Sequence, residues 1–183
     1  MFRTTHTMPS VETLNQLFHA DFVNGMLYWK RRDVSAFKTE KAANTWNTRF
    51  AGKEALKGKD KTGRKRGTIF CVHASAHRVL WKMAYGTEPE LIDHINGDPS
   101  DNRIENLRCA TPAQNSANSS RSIANRSGCC GVSWSKQKRK WWVKIRREFI
   151  GLYDDLDEAV RARKEAERHR GFHPNHGRDR QEA

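Results

Sequence analysis

The sequence predicts an α+β fold assembled from small modules, and three observations carry that prediction. Apolar residues make up 36% of the 183 and the mean hydropathy is −0.90, too little for one large core. Six Trp and eight Phe are still enough to nucleate several small ones. Short strand-like stretches also alternate with helix starts and tight turns along the whole chain.

Taken in order, residues 10–20 are expected to form a helix, with Ser10 as cap and Val11, Leu14, Leu17 and Phe18 on one face. Asn24-Gly25 then turns the chain into a strand at Met26-Leu27-Tyr28-Trp29. Residues 30–67 show no apolar period and are expected to be a long loop, with Gly52, Gly58 and Gly63 as turn points. Its basic run from Lys57 to Arg66 suits phosphate contact and a solvated loop equally. A strand over Thr68–His73 leads to a helix over 76–85, capped by Ser75 and stopped by Gly86, with Leu80, Trp81, Ala84 and Tyr85 inward. His77 opens that helix, in a structural or phosphate-contacting role.

The next stretch reads β–loop–β–α: strands at 91–95 and 107–110, then Thr111-Pro112-Ala113-Gln114, which has the residue types of a capping box with Pro at the first helical position. Residues 116–127, rich in Ser, Asn and Arg, read as a linker. The C-terminal part is expected to be a three-stranded antiparallel sheet packed on one helix. The strands are Gly131–Trp134, Lys140–Arg146 and Phe149–Tyr153, and the helix runs from an Asp154 or Asp155 cap to about Arg170. Alternation puts Trp141, Val143 and Ile145 in the core and Trp142, Lys144 and Arg146 on the outer face. Ala159, Ala162 and Ala166 form a small-residue stripe for close packing of the helix.

The net charge of +13 and pI near 10.0 point to a polyanionic partner. No apolar run reaches membrane-spanning length and no signal-peptide pattern opens the chain, so nucleic acid in a cytoplasm is expected rather than a membrane. Cys71, Cys109, Cys129 and Cys130 form no CxxC pair, which argues against a zinc ribbon and for reduced thiols. Charge is uneven: residues 1–87 hold 16 Lys/Arg against 6 Asp/Glu, while 88–105 hold six carboxylates and one Arg. An acidic island within a basic chain fits a DNA binder that also holds a divalent cation, and equally a solvated loop.

The island contains the most specific pattern in the chain. Asp93-His94 is followed by Asn106 twelve residues after the His and by Asn115 nine later. A carboxylate and an amide carbonyl are hard oxygen donors suited to Mg²⁺ or Mn²⁺. A neutral histidine beside them can act as general base.

Residues 77–118 resemble the HNH endonuclease family in the variant whose last His is Asn, through His77-Arg78, Asp93-His94, Asn106-Leu107-Arg108 and Gln114-Asn115. Residues 128–171 resemble the AP2/ERF DNA-binding domain through Gly131-Val132-Ser133-Trp134, Lys140-Trp141-Trp142-Val143-Lys144-Ile145-Arg146 and Gly151-Leu152-Tyr153. With Trp46-Asn47-Thr48-Arg49-Phe50-Ala51-Gly52-Lys53 upstream, the chain resembles phage-encoded, homing-type HNH endonucleases. The resemblance implies a basic DNA-contacting region over 1–75, a ββα-metal nuclease unit over 76–120, a linker over 121–127, and an AP2/ERF-like domain with tail over 128–183.

It further implies that Asp93 and Asn115 hold one Mg²⁺ or Mn²⁺ and that His94 is the base. Asn106 would orient His94 or fix the loop, and Asn118 ranks below these as a phosphate contact or further ligand. Arg49, Lys53, Arg64, Lys65, Arg66, Arg78, Lys138, Arg139, Lys144 and Arg146 would bind duplex DNA, with Lys136 and Arg147 beside them. Trp142 would stack on DNA or pack internally. Ser133 and Ser135 stand where the AP2/ERF pattern carries base-reading arginines, so that segment is expected to position DNA rather than read it. No small-molecule cofactor is expected, and the chain would act as a monomer or weak dimer. The rival readings are a non-enzymatic AP2-like DNA-binding regulator and a basic RNA-binding protein.

Overall fold

The structure is a computed structural model that describes residues 8–122 and 124–179. Residues 1–7 of the expected N-terminal region, Ile123 of the linker and residues 180–183 of the tail lie outside them. Among the described residues five α-helices and several small antiparallel sheets make an α+β fold. The chain divides into two compact units, one ending at Cys109 and the other beginning at Ala110. Among the described residues no helix is long and apolar enough to cross a membrane.

In the first unit α1 spans Val11–Leu17, and the Ser10 hydroxyl accepts from the Thr13 N–H at 3.2 Å. It stops short of the expected residue 20. Phe18 instead begins β1 (Phe18–Asp21), which pairs antiparallel with β2 (Met26–Trp29), and Phe18 stacks on Trp29 with ring centroids 4.6 Å apart. That cross-strand contact outweighs the helical spacing of Phe18.

The expected loop over 30–67 contains a helix, α2 (Glu40–Phe50). Thr39 caps it and Glu40 sits in its positive first turn, but its buried residues are only Ala43 and Asn47. The Asn47 amide accepts from the Arg32 N–H and donates to the Arg32 carbonyl, both at 2.9 Å. Trp46 completes the anchorage, 5.5 Å from Trp29 and 5.9 Å from Phe37.

Strands β3 (Gly58–Lys59), β4 (Lys65–Ile69) and β5 (Val72–Ser75) form one antiparallel sheet in that order. The single strand expected over Thr68–His73 is therefore a hairpin, turning at Phe70 and Cys71 with φ of 46° and 65°. Next comes α3 (Ala76–Tyr85), closed by Gly86 in the left-handed conformation. Its buried residues are Ala76, His77, Val79 and Leu80, while Tyr85 is 53% exposed, so the inward face is rotated from the expected one. The rotation lets Val79 and Leu80 join Leu14, Leu17, Phe18, Leu27 and Ile69 in the core. Finally β6 (Ile92–His94) pairs antiparallel with β7 (Leu107–Cys109).

The second unit opens with α4 (Pro112–Ala117), where the Thr111–Gln114 capping box forms in full. Strands β8 (Val132–Ser135), β9 (Lys140–Ile145) and β10 (Glu148–Tyr153) make an antiparallel sheet with β9 central. Helix α5 (Leu156–His169) packs on it, started by the Asp155 side chain accepting from the Glu158 N–H. Val143 and Ile145 are fully buried, Trp141 packs on the same core, and Trp142 stacks on Phe149.

The buried stripe of α5 differs from the expected Ala159, Ala162 and Ala166. Ala162 is only half-buried, and Arg163 and Glu167 are buried with Ala159 and Ala166. Arg163 donates from Nε to the Cys130 carbonyl at 2.7 Å and pairs with Glu167 at 3.1 Å, which makes its burial tolerable. Gly131, at φ 78°, lets the strand pass there, because a Cβ would lie 2.3 Å from the Lys144 carbonyl oxygen.

Candidate active site

Alternation along β6 sends Asp93 and His94 to opposite faces. On one face, Asp93 lies opposite Arg108 of β7. Arg108 donates to Asp93 Oδ2 from Nε at 3.0 Å and from Nη2 at 2.7 Å. The carboxylate is nearly buried, at 8% side-chain exposure. A charged, doubly held carboxylate of this kind is a fixed oxygen donor rather than a mobile one.

On the other face, His94 is 5% exposed, with Asn102 and His77 among its neighbours. Its Nε2 lies 3.1 Å from Oδ1 of Asn102, itself 1% exposed. The ring of His77, on α3, packs edge-on at 5.2 Å between centroids. Burial pushes the His94 pKa down, partly offset by the Asn102 bond, so the ring is neutral at pH 7. Burial likewise lowers His77, to about 3, with the neighbouring His94 as the next cause.

The loop joining β6 to β7 is held by side-chain amides. Asn106 Oδ1 accepts from the Asn96 N–H at 2.9 Å, and its Nδ2 donates to Asn96 Oδ1 at 3.0 Å and to the Asp101 carbonyl at 2.8 Å. From outside, the β1–β2 turn braces the same loop. A Cβ on Gly25 (φ 65°) would lie 2.3 Å from the Asn102 carbonyl carbon and 2.4 Å from the Arg103 nitrogen, and the Ile104 N–H bonds the Phe22 carbonyl at 3.1 Å.

Five of the six carboxylates of the acidic island have local partners, and at Glu90 the backbone carbonyl is the contacted group. Glu88 pairs with Lys82 and Arg78, Asp101 and Glu105 with Arg103, and Asp93 with Arg108. Asp98 accepts from the Ser100 N–H and hydroxyl. The Glu90 carbonyl is approached by Arg78 at 3.4 Å. No group of three or more His, Cys, Asp or Glu that could hold a metal occurs among the described residues. Any cation here would depend on one carboxylate with amide and water oxygens, the donor chemistry that hard divalent ions accept.

The remaining candidates lie in varied settings. Asn115 is exposed in the first turn of α4, in the second unit, and Asn118 ends that helix at 2% exposure. In the first unit Arg49, Lys53 and Arg66 are exposed and Arg64 is half-buried, its guanidinium donating to Thr62. Lys65 is engaged with Glu54 at 2.7 Å. Arg78 donates to the Pro89 carbonyl at 2.7 Å, tying α3 to the loop before β6. In the second unit Lys136, Lys138, Arg139, Lys144, Arg146 and Arg147 are all exposed. Arg146 lies over the Phe172 ring at 5.5 Å.

Asn102 is not marked as a site residue by the sequence. Its only signal was an amide eight residues after His94 within a short loop, a position no hydrophobic period marks as buried.

Residues 74–117 match the profile of the HNH endonuclease family. The chain is also 42% identical over 67 residues to Protein 3.8 of Escherichia phage T7, a match covering 36% of this chain and 55% of that protein. No solved structure matches. The chain thus carries an HNH endonuclease domain and has a phage homologue.

Proposed function

We propose that this protein is a divalent-metal-dependent endonuclease that hydrolyses phosphodiester bonds in duplex DNA, of the homing type. The observation that carries the reading is a buried, neutral histidine on the strand of an HNH match, adjacent in sequence to a carboxylate fixed by Arg108. His94 takes a proton from water, the water oxygen bonds to phosphorus, the bond to the 3′ oxygen breaks, and that oxygen is protonated from solvent. Asp93 and Asn115 are the proposed donors for one Mg²⁺ or Mn²⁺, supported by their place in the motif and their oxygen chemistry. When bound, such an ion supplies charge stabilisation at the scissile phosphate and the departing oxygen. Arg49, Lys53, Arg64 and Arg66, with the exposed cations and Trp142 of the C-terminal sheet, are proposed to grip the duplex, AP2-like in the latter case.

The test is nicking of supercoiled plasmid with Mg²⁺, with Mn²⁺ and with chelator. Cleavage should require the metal, and His94→Ala should abolish it while DNA affinity stays within a few-fold. Cleavage by His94→Ala at the wild-type rate would show the base to be wrongly assigned. Tight site-specific binding with no metal-dependent nicking would make the protein a DNA-binding regulator instead.

A further inference from the structure

We propose that Asn102 is the positioning residue that sets the tautomer of His94, keeping the proton on Nε2 and the lone pair on Nδ1, so that Nδ1 is the atom that accepts the proton from water. The inference rests on the reading of His94 as the base.

The first support is the bond itself. Asn102 Oδ1 stands 3.1 Å from His94 Nε2, with both residues buried. An amide oxygen can only accept, so Nε2 must donate and Nδ1 carries the lone pair. Once Nδ1 takes a proton, the ring becomes cationic and the same bond becomes charge-assisted, which strengthens it as the reaction proceeds.

The second support is what Asn102 gives up. Its Nδ2 is buried and has no hydrogen-bond partner among the described residues. An unpaired buried amide donor carries a desolvation penalty that an apolar side chain of the same shape would avoid. Stability therefore does not account for an asparagine here, whereas the service of Oδ1 to His94 does.

The third support is the brace. The backbone of Asn102 is pressed by Gly25, and Ile104, two residues on, is bonded through its N–H to the Phe22 carbonyl, so the acceptor is held in place from the β1–β2 turn. His77 also packs edge-on against the ring, 5.2 Å between centroids, and limits rotation of the imidazole. Asn106 does not share the task, because its amide is committed to Asn96 and the Asp101 carbonyl.

The decisive measurement is a long-range proton–nitrogen NMR correlation of the His94 side chain in the full-length protein at pH 7.5, assigned with His94→Gln. The wild type should show Nε2 protonated, and Asn102→Leu should show a mixture of tautomers or Nδ1 protonated. A wild-type ring protonated on Nδ1 would overturn the proposal whether or not the protein cuts DNA. In the plasmid assay, Asn102→Leu should lower kcat about 100-fold with KM for DNA unchanged. Asn102→Asp, which keeps the acceptor, should recover to within about tenfold of wild type. A folded Asn102→Leu that cuts at the wild-type rate also overturns it. Failure of the wild type to nick DNA at all would instead sink the nuclease reading, leaving the tautomer measurement to stand by itself.

Discussion

Two buried imidazoles in edge contact both resist protonation in the resting protein, chiefly because burial penalises the charged ring, and this makes the site sensitive to acid. The His77 pKa drops from 6.5 to about 3 because burial penalises the charged ring. The unfolded chain takes up this proton near pH 6.5, but the folded chain does not until about pH 3. The stability contributed by neutral His77 is therefore complete above pH 6.5 and lost as pH falls below it, at about 1.4 kcal/mol per pH unit. Urea midpoints should fall between pH 7 and pH 5, and His77→Leu should flatten that dependence, since Nδ1 has no partner among the described residues to lose. Asp93 is governed by the opposite need, because removing Arg108 takes two charge-assisted hydrogen bonds from a nearly buried carboxylate. Arg108→Leu should cost about 1–3 kcal/mol in urea unfolding, even though Arg108 itself is partly exposed. His94 and Asp93 were legible as a pair in the sequence. Their separate settings were not, because a strand's alternation sends neighbours to opposite faces and only the partners waiting there decide what each can do.

Among the elements, the sequence was most readable where local chemistry settles the outcome. Thr111-Pro112-Ala113-Gln114 caps its own helix start within four residues, and the box forms as the residue types imply. Thr111→Ala should therefore remove about 1 kcal/mol, measured by thermal or urea unfolding. Helix α2 escaped notice because its buried face is an alanine and an asparagine, which show no apolar period. What holds it is the Asn47 clasp on Arg32, a contact fifteen residues distant that no window of sequence displays. Asn47→Ala should cost about 1–3 kcal/mol by leaving two backbone groups without their partner. Gly25 belongs to the same class of distant constraint. Any side chain there must displace the loop that bears Asn102, so Gly25→Ala should lower cleavage although the residue lies in a turn outside the motif, tested in the plasmid assay beside unfolding curves.

For the molecule as a whole, the excess of 13 positive charges sets how it should meet DNA. Binding by exposed Lys and Arg releases counterions, so affinity for duplex should fall by about 10³-fold or more between 50 and 200 mM salt if six or more phosphates are contacted. Filter binding or anisotropy across that range measures the slope, and a flat response would show that the cations do not carry the contact. That basic balance, the small-core α+β character, the Asp93-His94…Asn106…Asn115 spacing and the three-strand-plus-helix plan of the C-terminal part were all determined by the sequence alone. They depend on composition, period and spacing, which a linear string contains. Tertiary structure alone decided that Asn102 rather than Asn106 bonds His94, that His77 stacks on it, that Arg108 fixes Asp93, and that Arg163 and Glu167 go inside. Each of those depends on which distant atoms arrive beside a polar group once water has left. A polar residue's burial carries no period in the sequence, because its cost is met by a partner elsewhere in the chain.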